Sequence, residues 1–400
     1  MNKISRIFVT LLMSVITLFG MKNYFSLNGF VKPVAWQMLL GYTQNEFVEG
    51  ATPVQKINTI KSTIEQMFNE VGYKEFIINF NGLFQKVADK KVVDDVEKEN
   101  TVVRLNNDYL TFLSGARDYE TAAQNTDRLN SYLKGRKTDF LFVMAPGKIS
   151  KFDPQLPVGV EDYSNSDMDN YLKIIASKDI DYIDIRSEMY DSGLNQYDYF
   201  FKTDHHWTPE AAFFAYQKVS ERLKEYGLTV DEMHLNPENY NKKVYEDWFL
   251  GSQGKRTGIY YGGVDDISLI TPKFETSFTV ITGEKEKSGD FENTMFQNNH
   301  IEVKDYFGRN PYAVYTGGDF PLQIMKNHKC DNDKKILLIR NSFACTFAPF
   351  MALDCEELHI LDLRHYEDGT VKEYIEQINP DIVMILYNNA FNEIMFNFGL

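Results

Sequence analysis

The stretch Lys335-Ile336-Leu337-Leu338-Ile339-Arg340-Asn341-Ser342-Phe343-Ala344 is a short, continuous apolar run that breaks off in polar residues and then resumes with aromatic and small ones. A run apolar on both faces is what a strand covered on both sides of a parallel sheet requires, and the resumption predicts a helix directly after it. At such a strand-to-helix turn a serine hydroxyl is presented at the C-terminal edge of the sheet, where the first N–H groups of the helix are available to an oxyanion. Ser342 is therefore a candidate nucleophile. A serine N-cap is the plainer reading, and the two are compatible because one residue can open a helix and attack a carbonyl.

A serine attacks only once a base removes its proton. The segment Lys202-Thr203-Asp204-His205-His206-Trp207-Thr208-Pro209-Glu210 offers one. In an extended segment side chains alternate, so Asp204 and His206 lean to one side and His205 to the other. A carboxylate beside an imidazole fixes its tautomer and stabilises the imidazolium formed on proton uptake. A helix start follows at once, with Thr208 suited to the N-cap, Pro209 to the first helical position and Glu210 to the positive end of the helix. A D-H-H string is also compatible with a metal site, as in manganese phosphoesterases, or with a polar loop. The phosphoesterase reading needs further aspartates at strand ends, and Asp184 is the one so placed.

The remaining chain alternates strands with helices. Asp139 to Ala145, Ile180 to Ile185, Leu358 to Leu361 and Ile382 to Leu386 read as strands, while 169–177, 210–226 (ending at Gly227) and 370–378 read as helices. That alternation predicts an α/β fold with a doubly wound, mostly parallel sheet. From Pro237 to Lys329 the pattern turns to polar alternation with many Gly, Asp, Asn and Tyr, as in Arg256 to Leu269 and Phe274 to Gly283. It predicts a strand-rich insertion, 237–329, that walls a cleft. Asn388 and Asn389 follow a strand and are candidates for the oxyanion hole, with turn asparagines as the alternative. Arg364 is a candidate substrate ligand or a partner for a carboxylate.

The formal net charge of -15, from 42 Lys+Arg against 57 Asp+Glu, disfavours nucleic acid as a partner. Cys330, Cys345 and Cys355 show neither paired count nor C-x-x-C spacing, so they point to buried thiols rather than disulfides or zinc. At the N-terminus, Lys3 and Arg6 precede the uncharged stretch Ile7 to Met21. This reads as a signal anchor, 1–22, with a single pass and the following chain outside the membrane; a cleaved signal is the alternative. Residues 23–79 read as a tether and helical lead-in, with Ile57, Ile60, Ile64, Met67 and Phe68 on one helical face.

The Asp204-His205-His206-Trp207 string, the Ala145-Pro146-Gly147-Lys148 turn after a strand, and the serine turn together resemble the DHHW proteins, which belong with the AlgX and AlgJ type of SGNH-hydrolase-like O-acetyltransferases. The resemblance runs from about Phe80 to the C-terminus, making 80–400 the SGNH-like domain, and takes in Asn81-Gly82-Leu83 and Gly251-Ser252-Gln253-Gly254-Lys255-Arg256. It implies a triad of Ser342, His206 and Asp204, with His205 as the variable middle position. It also implies O-acetyl transfer on a cell-surface polysaccharide, a membrane-bound O-acyltransferase as donor, and no metal or organic cofactor. Relatives commonly carry Gly-Asp-Ser at the serine turn, whereas this chain has Arg340-Asn341-Ser342, which places a cation beside the nucleophile and removes a glycine. That departure keeps a non-catalytic glycan-binding subunit in view, alongside a carbohydrate acetylesterase.

Overall fold

The computed structural model describes residues 73–94, 101–389 and 392–400. The apolar stretch Ile7 to Met21, the tether and the helix expected near Ile57 to Phe68 lie outside the described residues. Among those described, no helix is long and apolar enough to cross a membrane. Nearly all of them fall in one compact unit, Ile77–Leu400.

The unit is a mixed α/β fold around one large sheet. Its strands in chain order are β1 (Asp139–Met144), β2 (Tyr182–Asp184), β3 (Phe278–Thr282), β4 (Lys285–Gly289), β5 (Leu322–Asn327), β6 (Lys335–Arg340), β7 (Glu357–Leu361) and β8 (Ile382–Tyr387). They lie in the order β2-β1-β8-β6-β7-β5-β3-β4. The first five run parallel. The last three join antiparallel.

Helices cover both faces of the parallel part, which is why its strands are largely apolar on both sides. Residues one apart on a strand go to opposite sides. Thus Phe140, Phe142, Leu337, Ile339, Val383 and Ile385 pack with helices at Glu120–Arg136, Ser164–Ala176 and Val371–Ile378. Leu141, Val143, Ile336, Leu338, Met384 and Leu386 pack with Pro209–Leu223 and Ala344–Met351. The Pro209–Leu223 helix starts as its sequence dictates: the Thr208 hydroxyl accepts from Ala211 N at 3.3 Å. The turn that follows it closes at Gly227, which sits at φ 78°.

Residues 237–329 do not form a separate body. They supply β3, β4 and β5 to the main sheet, plus a two-stranded antiparallel sheet of Tyr240–Phe249 and Asp265–Pro272. Strand was expected from Arg256 onward, but short helices occupy Ser252–Thr257 and Ile259–Gly262, and the strand begins at Asp265. Gly258 and Gly263, both at φ 84°, end these helices in a conformation that side chains resist. The lead-in helix Tyr73–Val87 docks here through Gly82, where an added Cβ would meet Thr257 O at 1.9 Å. The Asn79 side chain accepts from Ile259 N at 2.8 Å.

Candidate active site

Strand β6 ends at Arg340, and Asn341, Ser342 and Phe343 turn the chain into the Ala344–Met351 helix at the C-terminal edge of the parallel strands. Asn341 organises the turn. Its side-chain oxygen accepts from Phe343 N at 3.1 Å and its carbonyl from Ala344 N at 3.1 Å. The helix has no side-chain cap; Asn341 closes the turn before it, and the Ser342 hydroxyl is left for other partners. The Ser342 N–H donates to no acceptor among the described residues. None of residues 340–342 has positive φ, so the backbone of this turn does not need a glycine.

The loop before the Pro209–Leu223 helix meets this turn. His206 Nε2 lies 2.7 Å from Ser342 Oγ, and His206 Nδ1 lies 2.6 Å from Asp204 Oδ1. Sequence separations of 136 and 2 residues thus close into a continuous Ser342–His206–Asp204 chain of hydrogen bonds. Trp207 holds the two segments together. Its fully buried indole donates to Phe343 O and to Thr346 Oγ1, each at 3.0 Å. The second Asp204 oxygen accepts from Ser252 N at 2.6 Å. Burial alone would raise the pKa of Asp204. His205 and His206, with the hydrogen bonds from His206 and Ser252, overrule it and hold the carboxyl well below the ordinary value, so it is ionised at neutral pH.

The other residues singled out from sequence divide. His205 turns away from the serine and shares a 2.8 Å hydrogen bond, through Nδ1, with Ser252 Oγ. Arg340 and Arg364 do not present unopposed charge to the nucleophile. Buried Arg340 pairs with Asp319 and lies 3.4 Å from Asp362, and Arg364 reaches Asp362 through Nε at 2.9 Å and Asp319 at 2.9 Å. Two guanidiniums and two carboxylates compensate one another beneath the serine turn, because a buried arginine without such partners would be costly. Asn388 and Asn389 do reach the sheet edge. Asn341 Nδ2 donates to Asn388 Oδ1 at 2.8 Å and Asn388 Nδ2 to Asn389 Oδ1 at 3.3 Å. Asn389 packs so closely on Gly147 that a Cβ there would lie 2.5 Å from its Oδ1. Cys345, three residues past Ser342, is buried, and burial pushes its thiol up to about 11, away from nucleophilic duty.

Asp204, His205 and His206 lie close enough together to be weighed as metal ligands. Both Asp204 oxygens, both His206 nitrogens and His205 Nδ1 already serve the hydrogen bonds above.

Four supporting residues were not legible as such in the sequence. Tyr312 stacks on His206, with centroids 4.0 Å apart and 13° between planes, and its hydroxyl donates to Ser342 O at 3.1 Å. Gly251 touches Asp204, where an added Cβ would lie 2.1 Å from Asp204 Cβ. The Asp265 carboxylate accepts from Thr203 N at 2.8 Å and from Thr203 Oγ1 and Lys202 N. Buried Lys148, of the Ala145–Lys148 turn, donates to Phe201 O and Lys202 O, and burial brings its pKa down to about 8. Of these, Gly251 and Lys148 stood in recognisable motifs; Tyr312 and Asp265 carried no local signal.

Residues 106–246 match a family model described as SGNH hydrolase-like domain, acetyltransferase AlgX. A search of curated proteins gave no match. Among solved structures, Bacillus cereus PatB1 with a sulfonyl adduct is 20% identical at a TM-score of 0.63, covering 76% of this chain and 99% of that one. PatB1 in a second structure is 22% identical at 0.63, covering 74% and 99%. A DHHW family protein from Eubacterium siraeum is 18% identical at 0.57, covering 76% and 97%. At these identities the likeness to the solved structures is one of fold. With Asp204, His205 and His206 inside the matched segment and the fold shared with a DHHW protein, the resemblance of this chain to the DHHW and AlgX type of SGNH-hydrolase-like proteins holds.

Proposed function

We propose that the chain is an extracytoplasmic serine-dependent O-acyltransferase, acting with acetyl groups on a cell-surface polysaccharide. The observation that carries the reading is the 2.7 Å contact of Ser342 Oγ with His206 Nε2, continued at 2.6 Å to ionised Asp204. The acetyltransferase named in the matching family model supports the acyl group and its transfer.

Asp204 accepts a hydrogen bond from the Nδ1–H of His206, which leaves the Nε2 lone pair facing the serine. Ser342 Oγ attacks the acyl carbonyl of the donor while its proton passes to Nε2. In this reading the Ser342 N–H receives the oxyanion, and the Asn389 amide, at the end of the neighbouring strand, is the candidate second donor. Collapse of the tetrahedral adduct breaks the bond to the donor oxygen, which leaves with the proton from Nε2. A sugar hydroxyl then gives its proton to Nε2 and attacks the acyl-serine, and Ser342 departs with that proton. Water in place of the sugar gives ester hydrolysis through the same intermediate. His205, tied to Ser252, takes no part in these transfers.

The sulfonyl adduct recorded for PatB1 suggests the test. A sulfonyl fluoride is attacked by an activated hydroxyl with loss of fluoride. Intact-mass and peptide analysis should find one sulfonyl group, on Ser342, with labelling lost in His206→Ala. Unlabelled Ser342 together with full turnover of a small acetyl ester by Ser342→Ala would overturn the proposal. Location outside the membrane, held by Ile7 to Met21, belongs to the same proposal and rests on the positive flank of Lys3 and Arg6.

A further inference from the structure

A cavity of about 1200 Å³ opens beside the antiparallel half of the sheet, lined by Thr282, Lys285, Gln297, His300, Phe320 and Gln323 among others. Its place in the sheet gives it meaning. Thr282 ends β3, Lys285 begins β4, and Gln323 pairs with both Thr282 and Ile360 near the start of β5. Because β5 runs against β7, these ends lie along the same edge as Ser342. Neighbouring strands are about 4.8 Å apart, so the three and four steps from β6 to β3 and β4 put the cavity roughly 14–19 Å from the serine turn.

One short turn joins the two places. Thr316, Gly317 and Gly318 have φ of 61°, 84° and 105°. Positive φ is costly for a β-branched threonine, and such strain persists where surrounding contacts impose it. Here they do so at both ends. Thr316 O accepts from Gln323 Nε2 at 3.2 Å at the cavity, while Gly318 O accepts from Arg340 at 3.2 Å and Asp319 pairs with Arg340 and Arg364 under the serine. The cavity wall is thereby fixed to the ion-pair cluster beneath Ser342.

We infer that this cavity is a distal subsite for an extended glycan acceptor, holding sugar units several residues along the chain from the hydroxyl that receives the acyl group. The inference rests on the acyl-transfer reading of Ser342. Side-chain amides, a hydroxyl and an imidazole around one aromatic ring suit a polyhydroxylated ring with an apolar C–H face. Lys285 and Lys287 stand among Glu284 and Glu286, so the lining favours neither a polyanion nor a polycation. Binding energy collected here, remote from the reacting hydroxyl, is available to raise the rate of transfer and not only affinity.

The test uses the full chain, 4-nitrophenyl acetate as donor, and cello-, xylo- and chito-oligosaccharides of increasing length as acceptors. In at least one series the rate of acetyl transfer should rise roughly tenfold or more from the single sugar to the longest chain. Phe320→Ala and Lys285→Ala should flatten that rise; Lys285 is exposed at a strand end, so its variant tests the idea even if loss of Phe320 disturbs folding. No length dependence in any series, or the same dependence in both variants, overturns the distal subsite. Loss of the acyl-transfer reading itself would show separately, as donor turnover that survives Ser342→Ala.

Discussion

Tyr312 lies flat against the imidazole of His206, 4.0 Å between centroids, and from the same position donates its hydroxyl to the carbonyl of Ser342. One side chain thus sets the ring plane of the proposed base and the backbone of the proposed nucleophile. Tyr312→Ala should lower kcat for a small acetyl ester by roughly 10²-fold, the cost of displacing a reacting group by about 1 Å, with KM little changed. Tyr312→Phe keeps the stack and loses the hydrogen bond, so it should recover much of that loss. A lowered urea midpoint in Tyr312→Ala, with no rescue by phenylalanine, would point to general unfolding instead.

The hydrogen-bond chain orders the variants around it. Ser342→Ala and His206→Ala should abolish turnover of a small acetyl ester. Asp204→Asn should cost roughly 10⁴-fold, as when an amide imposes the wrong tautomer on a triad histidine. His205→Ala should leave most activity, because its hydrogen bond is with Ser252 and the Ser342–His206–Asp204 bonds do not pass through it. Equal loss from His205→Ala, together with dependence on an added divalent metal, would sink the serine mechanism.

Gly251 makes a sharper structural prediction. A methyl group there would lie 2.1 Å from Asp204 Cβ and 2.4 Å from its Cα, and the neighbour is backbone that cannot swing aside. Gly251→Ala should therefore destabilise the chain by about 1–3 kcal/mol, the usual cost of overpacking, and displace Asp204 from His206. Urea unfolding and ester turnover measured on the same sample check both effects, and an active variant of unchanged stability would contradict the packing.

These residues also show what the sequence disclosed and what it withheld. The meeting of Ser342, His206 and Asp204 was legible because each sits in a local pattern: Ser342 after an apolar strand, Asp204 and His206 two apart before a helix start. The helix Glu120–Arg136 was not, because its buried face uses Ala122, Ala123, Thr126 and Asn130, and small or polar residues make no apolar stripe. The insertion 237–329 read as strand-rich, but its place in the main sheet was not legible, since half-exposed antiparallel strands carry the same alternation whether they form their own sheet or extend another. Tyr312 is one tyrosine among 24, placed by tertiary packing alone. Arg340 read as a cation beside the nucleophile because the acids that neutralise it, Asp319 and Asp362, arrive from 21 and 22 positions away.

Acid should find the same cluster. Burial favours the protonated form of Asp319, but Arg340 and Arg364 prevail, so its carboxyl is held below the ordinary 3.8, as is that of Asp204. A folded pKa below the unfolded one contributes stability that is present above the unfolded value and is lost as pH falls through the folded value. Urea midpoints should hold down to about pH 4 and drop below it. Asp319→Asn should cost about 1 kcal/mol at neutral pH, because Asp319 is exposed and Asp362 remains beside Arg340, and should soften the acid drop. An acid profile identical to the parent's would remove Asp319 from the account.

The last prediction concerns the acyl donor. An enzyme outside the membrane has no ready supply of acyl thioesters, and no phosphate-cradling loop is apparent in the sequence to retain a nucleotide-linked one. On the proposed function a membrane-bound O-acyltransferase carries the acyl group across the bilayer, Ser342 receives it, and a glycan hydroxyl takes it from Ser342. Such a hand-over needs both proteins at one membrane surface, which the proposed anchor at Ile7 to Met21 supplies. Deleting residues 1–22 should release a folded chain that still turns over a small acetyl ester but no longer restores polymer acetylation in cells. Ser342→Ala and loss of the donor gene should remove the same O-acetyl groups from the surface polymer. If Ser342→Ala instead raised acetylation, the chain would be a deacetylating esterase, and both donor and hand-over would fall.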